Sequence, residues 1–176
     1  MDVYRPGHAD YTFDEKYGFR DYRGGGRSSG RETIGRVAAG AIAAKLLESL
    51  GITVQAYTSA VGPVKIDHSH MDMEEISKNR LYMPDKAAAA EAESYLEDMM
   101  QRRDSCGGVV ECVIRGLPAG VGEPVFDKLD AALGKAVMSI GAVKGFEIGD
   151  GFEAAASLGS QNNDSFIIGK DKKPQK

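Results

Sequence analysis

The sequence predicts a mixed fold in which helices and strands alternate along a chain of 176 residues. Two observations predict it. Three segments repeat apolar residues at helical spacing, and short runs rich in Val, Ile and Ala lie between them. Gly or Pro punctuates most of the junctions. The order helix, strand, helix, strand, helix, strand suits either an α/β or an α+β winding, and periodicity does not choose between them.

Residues 1–30 show little periodicity of either kind and are rich in Gly, Arg, Asp and Tyr. Four of the seven tyrosines (Tyr4, Tyr11, Tyr17 and Tyr22) lie here, which favours an ordered loop, because disordered segments are poor in aromatics. The first helix is predicted to start at a Ser29 cap with Glu32 reaching back as a capping box. It continues through Ile34, Val37, Ala38, Ala41, Ile42 and Leu46 to a stop at Gly51. Its many alanines predict close packing by neighbours on several sides. A strand is expected over 52–60, broken by Gly62-Pro63. A polar excursion follows through His68 and Asn79. A second helix is expected over 84–103 and a strand over 109–117. A third helix is expected over 125–140, striped by Phe126, Leu129, Leu133, Val137 and Ile140. A strand over 142–148 completes the series, and residues 170–176 read as a flexible tail.

Composition narrows the function. The chain is 42% apolar and 27% charged, as globular domains are, and no apolar run nears the ~20 residues that cross a bilayer. No membrane role is expected. Cys106 and Cys112 lack metal-site spacing and read as reduced thiols of a cytoplasmic protein. A net charge of −4 argues against a nucleic-acid partner. Yet six of the ten arginines (Arg5, Arg20, Arg23, Arg27, Arg31 and Arg36) fall in about the first fifth of the chain. Arginine is suited to bidentate recognition of phosphate and carboxylate. A local anionic ligand is therefore expected.

The segment over 23–32, Arg-Gly-Gly-Gly-Arg-Ser-Ser-Gly-Arg-Glu, is the candidate receptor. A helix start presents unsatisfied N–H groups, and glycines let backbone approach a ligand. The helix dipole contributes only about 0.3–1 kcal/mol, so the arginines must supply most of any affinity. The plain alternative is a flexible linker, which leaves the flanking arginines unexplained. No Lys-Ser/Thr follows the glycines, and G-x-G-x-x-G is absent, so neither a Walker loop nor a dinucleotide fingerprint is present. His8, in a Pro/Gly turn near arginines and Asp10, is a candidate proton carrier as well as an ordinary surface histidine. His68 and His70 with Asp67 and Asp72 read as a solvated loop. Glu123 and the turn from Glu147 to Gly151 are readable either as catalytic carboxylates or as turn chemistry.

The blocks Arg5-Pro6-Gly7-His8-Ala9-Asp10 and Tyr17-Gly18-Phe19-Arg20-Asp21-Tyr22-Arg23, continuing through residues 24–33, resemble the bacterial form of chorismate synthase. So do Gly120-Val121-Gly122-Glu123-Pro124-Val125-Phe126-Asp127 and the block from Lys144 to Phe152. The resemblance implies an α+β sandwich of helices and mostly antiparallel sheets, incomplete in this chain. It implies a cytoplasmic lyase of the shikimate pathway and of aromatic amino acid biosynthesis. That enzyme converts 5-enolpyruvylshikimate 3-phosphate to chorismate and phosphate by 1,4-anti elimination, with reduced FMN as cofactor, NADPH associated with its reduction and a homotetramer as its assembly. Carried over by position, Arg27, Ser28 and Ser29 bind FMN, Arg31 lies near the flavin or the substrate phosphate, and His8 is catalytic. The family's Gly-Glu-Ser-His-Gly and Arg-His-Asp-Pro motifs do not occur in this sequence. The expectation is a single partial domain over 1–176, central in a chain about twice as long, with 1–30 as its ligand-binding loop and no activity of its own. A non-catalytic phospholigand module and an Arg/Gly-loop RNA binder are the alternatives.

Overall fold

The computed structural model describes residues 3–169 and 174–175. They divide into two compact units, one made of the residues up to Thr33 with those from Gly120 onward, the other of Ile34–Ala119.

The second unit holds the core. Strand β1 (Thr53–Val61) is central in a three-stranded antiparallel sheet, between β2 (Val64–Lys65) and β3 (Gly108–Arg115). The Gly62-Pro63 turn joins β1 to β2, with Gly62 at φ 54°. A side chain at Gly62 would strike the Tyr95 ring, so only glycine lets that ring lie over the turn. A bulge between Thr58 and Ala60 leaves Ser59 as the extra residue. Its carbonyl is used all the same, accepting from Ile66 N–H at 3.0 Å.

Helix α3 (Lys86–Arg102) packs Ala88, Ala89 and Ala92 into a core with Tyr57, Val61, Val64, Ile66, Ile76 and the fully buried Met83. Alanines on that face let the helix approach closely. Asp85 caps the helix, accepting from Ala87 N–H and Ala88 N–H, and also ties in the incoming loop through Asp67 N–H. These bonds, the Asp67 N–H first, hold its carboxyl below the usual range. The polar excursion over 67–83 is ordered by Asn79, whose amide donates to Glu75 O and Met83 O and accepts from Leu81 and Met83 N–H.

Helix α2 (Thr33–Ser49) differs from expectation. None of its residues is buried, and Ile34, Val37, Ile42 and Leu46 are each at least 64% exposed. The alanines that predict close neighbours are exposed. The capping box is also absent. Ser29 accepts from Arg31 N–H and heads a short 3-10 turn, while the Glu32 carboxylate takes Arg27 at 3.3 Å instead of reaching back.

The first unit carries α1 (Asp10–Tyr17), α4 (Leu129–Met138) and a short antiparallel pair, β4 (Ile167–Ile168) with β5 (Pro174–Gln175). Helix α1 lies within the stretch that lacks periodicity. Its signal is at its ends, with Asp10 in the first turn and Gly18 as a left-handed stop donating to Asp14 O. Helix α4 starts four residues later than expected, because Val125 takes φ 70° and a turn closes from Glu123 N–H to Asp127 O. The strand expected over 142–148 does not form. Ala142 sits at φ 70°, and extended backbone without a ladder partner among the described residues is not a strand. Of the tail expected over 170–176, residues 170–173 and 176 lie outside the described residues, and Pro174–Gln175 forms β5.

Two outcomes follow from this core. Met83→Ala lowers stability by about 2–5 kcal/mol, read from urea unfolding followed by far-ultraviolet circular dichroism. Tyr57 donates to Glu111 Oε2 at 2.8 Å, and burial, then that bond, pushes its phenol up to about 12. The raised value favours the neutral phenol, so its contribution is full below the ordinary pKa of ~10 and is lost as pH rises through about 12. An ultraviolet pH titration shows a late-ionising tyrosine, and Tyr57→Phe removes that step.

Candidate functional site

The site is built on one turn and one loop, both in the first unit. Residues Arg5 to His8 form a β-turn closed by His8 N–H to Arg5 O at 3.2 Å. Pro6 occupies the second position and Gly7 the third, at φ 70°, which is the type II pattern. The turn leads directly into α1.

Asp10 holds this turn. It is 6% exposed and accepts three bonds from Arg5: the backbone N–H at 3.0 Å, Nε at 3.0 Å and Nη2 at 2.8 Å. Arg20 approaches the same carboxylate at 3.6 Å, lies 3.8 Å from Asp14, and stacks over the Tyr4 ring at 4.6 Å. The Arg5 side-chain and backbone bonds hold the Asp10 carboxyl well below the usual range, with the charge of Arg20 adding to them. Two arginines thus serve the architecture of the site and are not simply charges awaiting a ligand.

The glycine loop folds on itself. Gly25 is left-handed, at φ 79°, and Gly26 at φ 50° lies so close to Asp21 that a side chain would meet Asp21 Oδ2 at 3.3 Å. Ser28 N–H donates to Gly25 O at 2.8 Å, and Ser28 Oγ donates to the same oxygen at 2.5 Å. Ser29 N–H donates to Gly26 O at 3.2 Å, and Ser29 Oγ accepts from Arg31 Nε at 3.1 Å. Arg31 Nη2 reaches Gly24 O at 3.4 Å. Arg27 points outward, with its side chain 95% exposed and one ion pair to Glu32. Such a pair in water is worth little, so the guanidinium is easily drawn to a stronger anion.

The turn and the loop share the wall of one concavity of about 570 Å³, within the range of small-molecule clefts. His8 lines it with Arg27, Ser28 and Ser29. Arg31 is not among the lining residues. Phe13, Tyr17 and Phe19 add flat apolar surface, and Asp10 and Arg20 lie beside them. Residue types alone do not place Phe13, Tyr17 and Phe19 on one wall, nor show that Arg5 and Arg20 converge on Asp10. Their signal is the packing of charged and aromatic residues into a segment with no periodicity. Glu123 and Glu147 are elsewhere. Glu147 lines a separate concavity of about 510 Å³ with Phe146 and Phe152. His70 approaches Asp67 at 3.5 Å, and among the described residues no group of three or more His, Cys, Asp or Glu is placed to hold a metal.

An α+β protein with a cationic edge beside a histidine and an aromatic wall is the class that fold and site define. The family model described as chorismate synthase matches residues 1–175, and the chain belongs to that family. Chorismate synthases of Lachnoclostridium phytofermentans and Agathobacter rectalis are each 66% identical to it over 94% of this chain and 45% of their own length. That of Cytophaga hutchinsonii is 55% identical over 94% of this chain and 46% of its own. A crystal structure of chorismate synthase superposes with a TM-score of 0.84 at 32% identity, over 95% of this chain and 55% of that one. The chain thus spans somewhat under half the length of these curated relatives.

The Asp10 clasp has a pH signature. A depressed carboxyl stabilises at every pH above the ordinary value of ~3.9, and its contribution is lost only as pH falls through the lower folded value. The Arg5 amide resonance, followed through an acid titration, therefore moves with a midpoint below ~3.9. Asp10→Asn abolishes that movement. A midpoint at or above the ordinary value contradicts the clasp.

Proposed function

We propose that this chain provides one wall of the active site of a chorismate synthase, the lyase that eliminates phosphate from 5-enolpyruvylshikimate 3-phosphate to give chorismate. One observation carries the reading: His8 and the Arg27-Ser28-Ser29 segment line the same concavity. Family membership supplies the chemistry that this wall would serve.

The donor set suits FMN. Arg27, the exposed cation, would hold the cofactor phosphate, and Ser28 and Ser29 present hydroxyls beside it. Phe13, Tyr17 and Phe19 offer surfaces for a flat ring system. Reduced flavin, held there, would lend an electron as the substrate phosphate departs and would recover it as the C6 hydrogen leaves, with no net redox change. His8 holds and delivers a proton at the same wall. Arg31, tied to Ser29 and Gly24, stiffens the loop and adds positive charge near the phosphates. In the elimination the C–O bond breaks with its electron pair leaving on phosphate, the C6 hydrogen leaves formally as a proton, and the C6–H pair goes into the new double-bond system, so the step is redox-neutral overall.

The same reading makes the assembled enzyme a cytoplasmic homotetramer with a small-molecule substrate and neither nucleic acid nor membrane as partner. The free Cys106 and Cys112 accord with a reducing compartment. No helix among the described residues is long and apolar enough to cross a membrane.

The test uses phosphorus NMR of FMN at millimolar concentration, where weak binding is visible. Addition of this chain shifts and broadens the FMN phosphate resonance, and Arg27→Ala reduces the apparent affinity at least tenfold. An unchanged affinity in Arg27→Ala removes the loop from the cofactor site. Stronger perturbation of unrelated nucleotides or sugar phosphates than of FMN favours a general phospholigand module instead. No chorismate forms when this chain alone is mixed with substrate and reduced FMN.

A further inference from the structure

The His8 ring is fixed by its own turn. Nδ1 lies 3.0 Å from Pro6 O. A carbonyl oxygen only accepts, so this contact requires a proton on Nδ1. In a neutral imidazole the other nitrogen is then the acceptor, and which nitrogen carries the proton is set by the bond the first one makes. Among the described residues Nε2 has no hydrogen-bond partner, and His8 lines the concavity.

That geometry depends on the orientation of the Pro6 carbonyl. In a type II turn the central peptide is held by Pro at the second position and a left-handed residue at the third, here Gly7 at φ 70°. Asp10 secures the start of the turn through Arg5 N–H and fixes the Arg5 side chain on two further bonds. Because Asp10 is also the first residue of α1, the turn is mounted on a helix and not on free loop. Arg20, its side chain 10% exposed, supports the carboxylate from a second direction.

We infer that Asp10 is a positioning residue for His8: by clasping the Arg5–His8 turn it holds the imidazole as the Nδ1–H tautomer and leaves Nε2 as the atom that takes up and returns the proton. That Nε2 serves catalysis rests on the functional reading above. The tautomer and the clasp do not, and they are measurable on this chain without cofactor or substrate.

The test is long-range proton–nitrogen NMR on the chain labelled at histidine with nitrogen-15. It is run at pH ~8.5, about two units above the ordinary imidazole value of ~6.5. The His8 signals are identified by their loss in His8→Gln. Free imidazole side chains in water prefer Nε2–H. The expected result is the reverse for His8, with Nδ1 at the upfield pyrrole-type position and Nε2 at the downfield pyridine-type position. A predominant Nε2–H form overturns the inference. Asp10→Asn keeps an oxygen for Arg5 N–H but loses the paired acceptor for the guanidinium, and it returns His8 toward the Nε2–H preference. Gly7→Ala does the same by a separate route. Its added methyl group meets nothing within 4 Å, so only the left-handed backbone is penalised. In both variants the amide resonances of residues 34–119 stay in place, which separates loss of the turn from loss of the fold. Retention of Nδ1–H in both variants removes Asp10 and the turn from the role. Loss of the FMN phosphate shift with Nδ1–H intact counts against the functional reading alone.

Discussion

The carboxylate of Asp10, nearly buried between Arg5 and Arg20, is the interaction on which the ligand-facing wall depends. A buried charge is tolerated only when it is paired and hydrogen-bonded, and here the pairing also defines geometry. It closes the residues before α1 onto the helix, sets the turn that carries His8, and draws Arg20 inward over Tyr4. Arg23, Arg27 and Arg31 of the glycine loop stay exposed, Arg27 with its side chain 95% exposed. A cluster of like-charged arginines is thereby divided into structural members and a receptor.

The second unit uses the same device for a different end. Asp85 is also nearly buried, and its acceptors bind α3 and the segment leading from β2 with one side chain. Met83 and the alanines of α3 then pack against Tyr57 and Val61. In both units a short acidic side chain at a helix start converts an irregular connection into a fixed one. Asp85 does so by accepting N–H groups left over at the start of α3, and Asp10 by accepting the backbone and side-chain donors of Arg5.

Much of the secondary structure was legible. Helix α3 and strands β1 and β3 lie within two residues of their expected bounds, because each has a long periodic pattern and a clear stop. Elements governed by single residues were not. Val125 and Ala142, both left-handed, cost α4 its first turn and the segment after it its strand character. Neither is a residue type that announces such a conformation. Helix α1 was hidden because its residues are too polar to show a stripe, although its stop at Gly18 was readable. At the site, His8, Arg27, Ser28 and Ser29 stood out by residue type, and they prove to share one concavity. The aromatic wall and the Asp10 clasp did not stand out, since an aspartate beside arginines in sequence does not reveal which of them it will hold.

The sequence by itself determined the family, the order of the main elements and the residue types available to an anionic ligand. Motifs and periodicity are local properties, written within a few turns of chain. Tertiary structure alone decided which arginines Asp10 engages and which nitrogen of His8 is engaged. It also decided that the apolar residues of α2 stay uncovered among the described residues. A side chain's pattern states what it is suited to bury or bind. Its partners are set by the positions of atoms distant along the chain, and a linear pattern does not encode those positions directly.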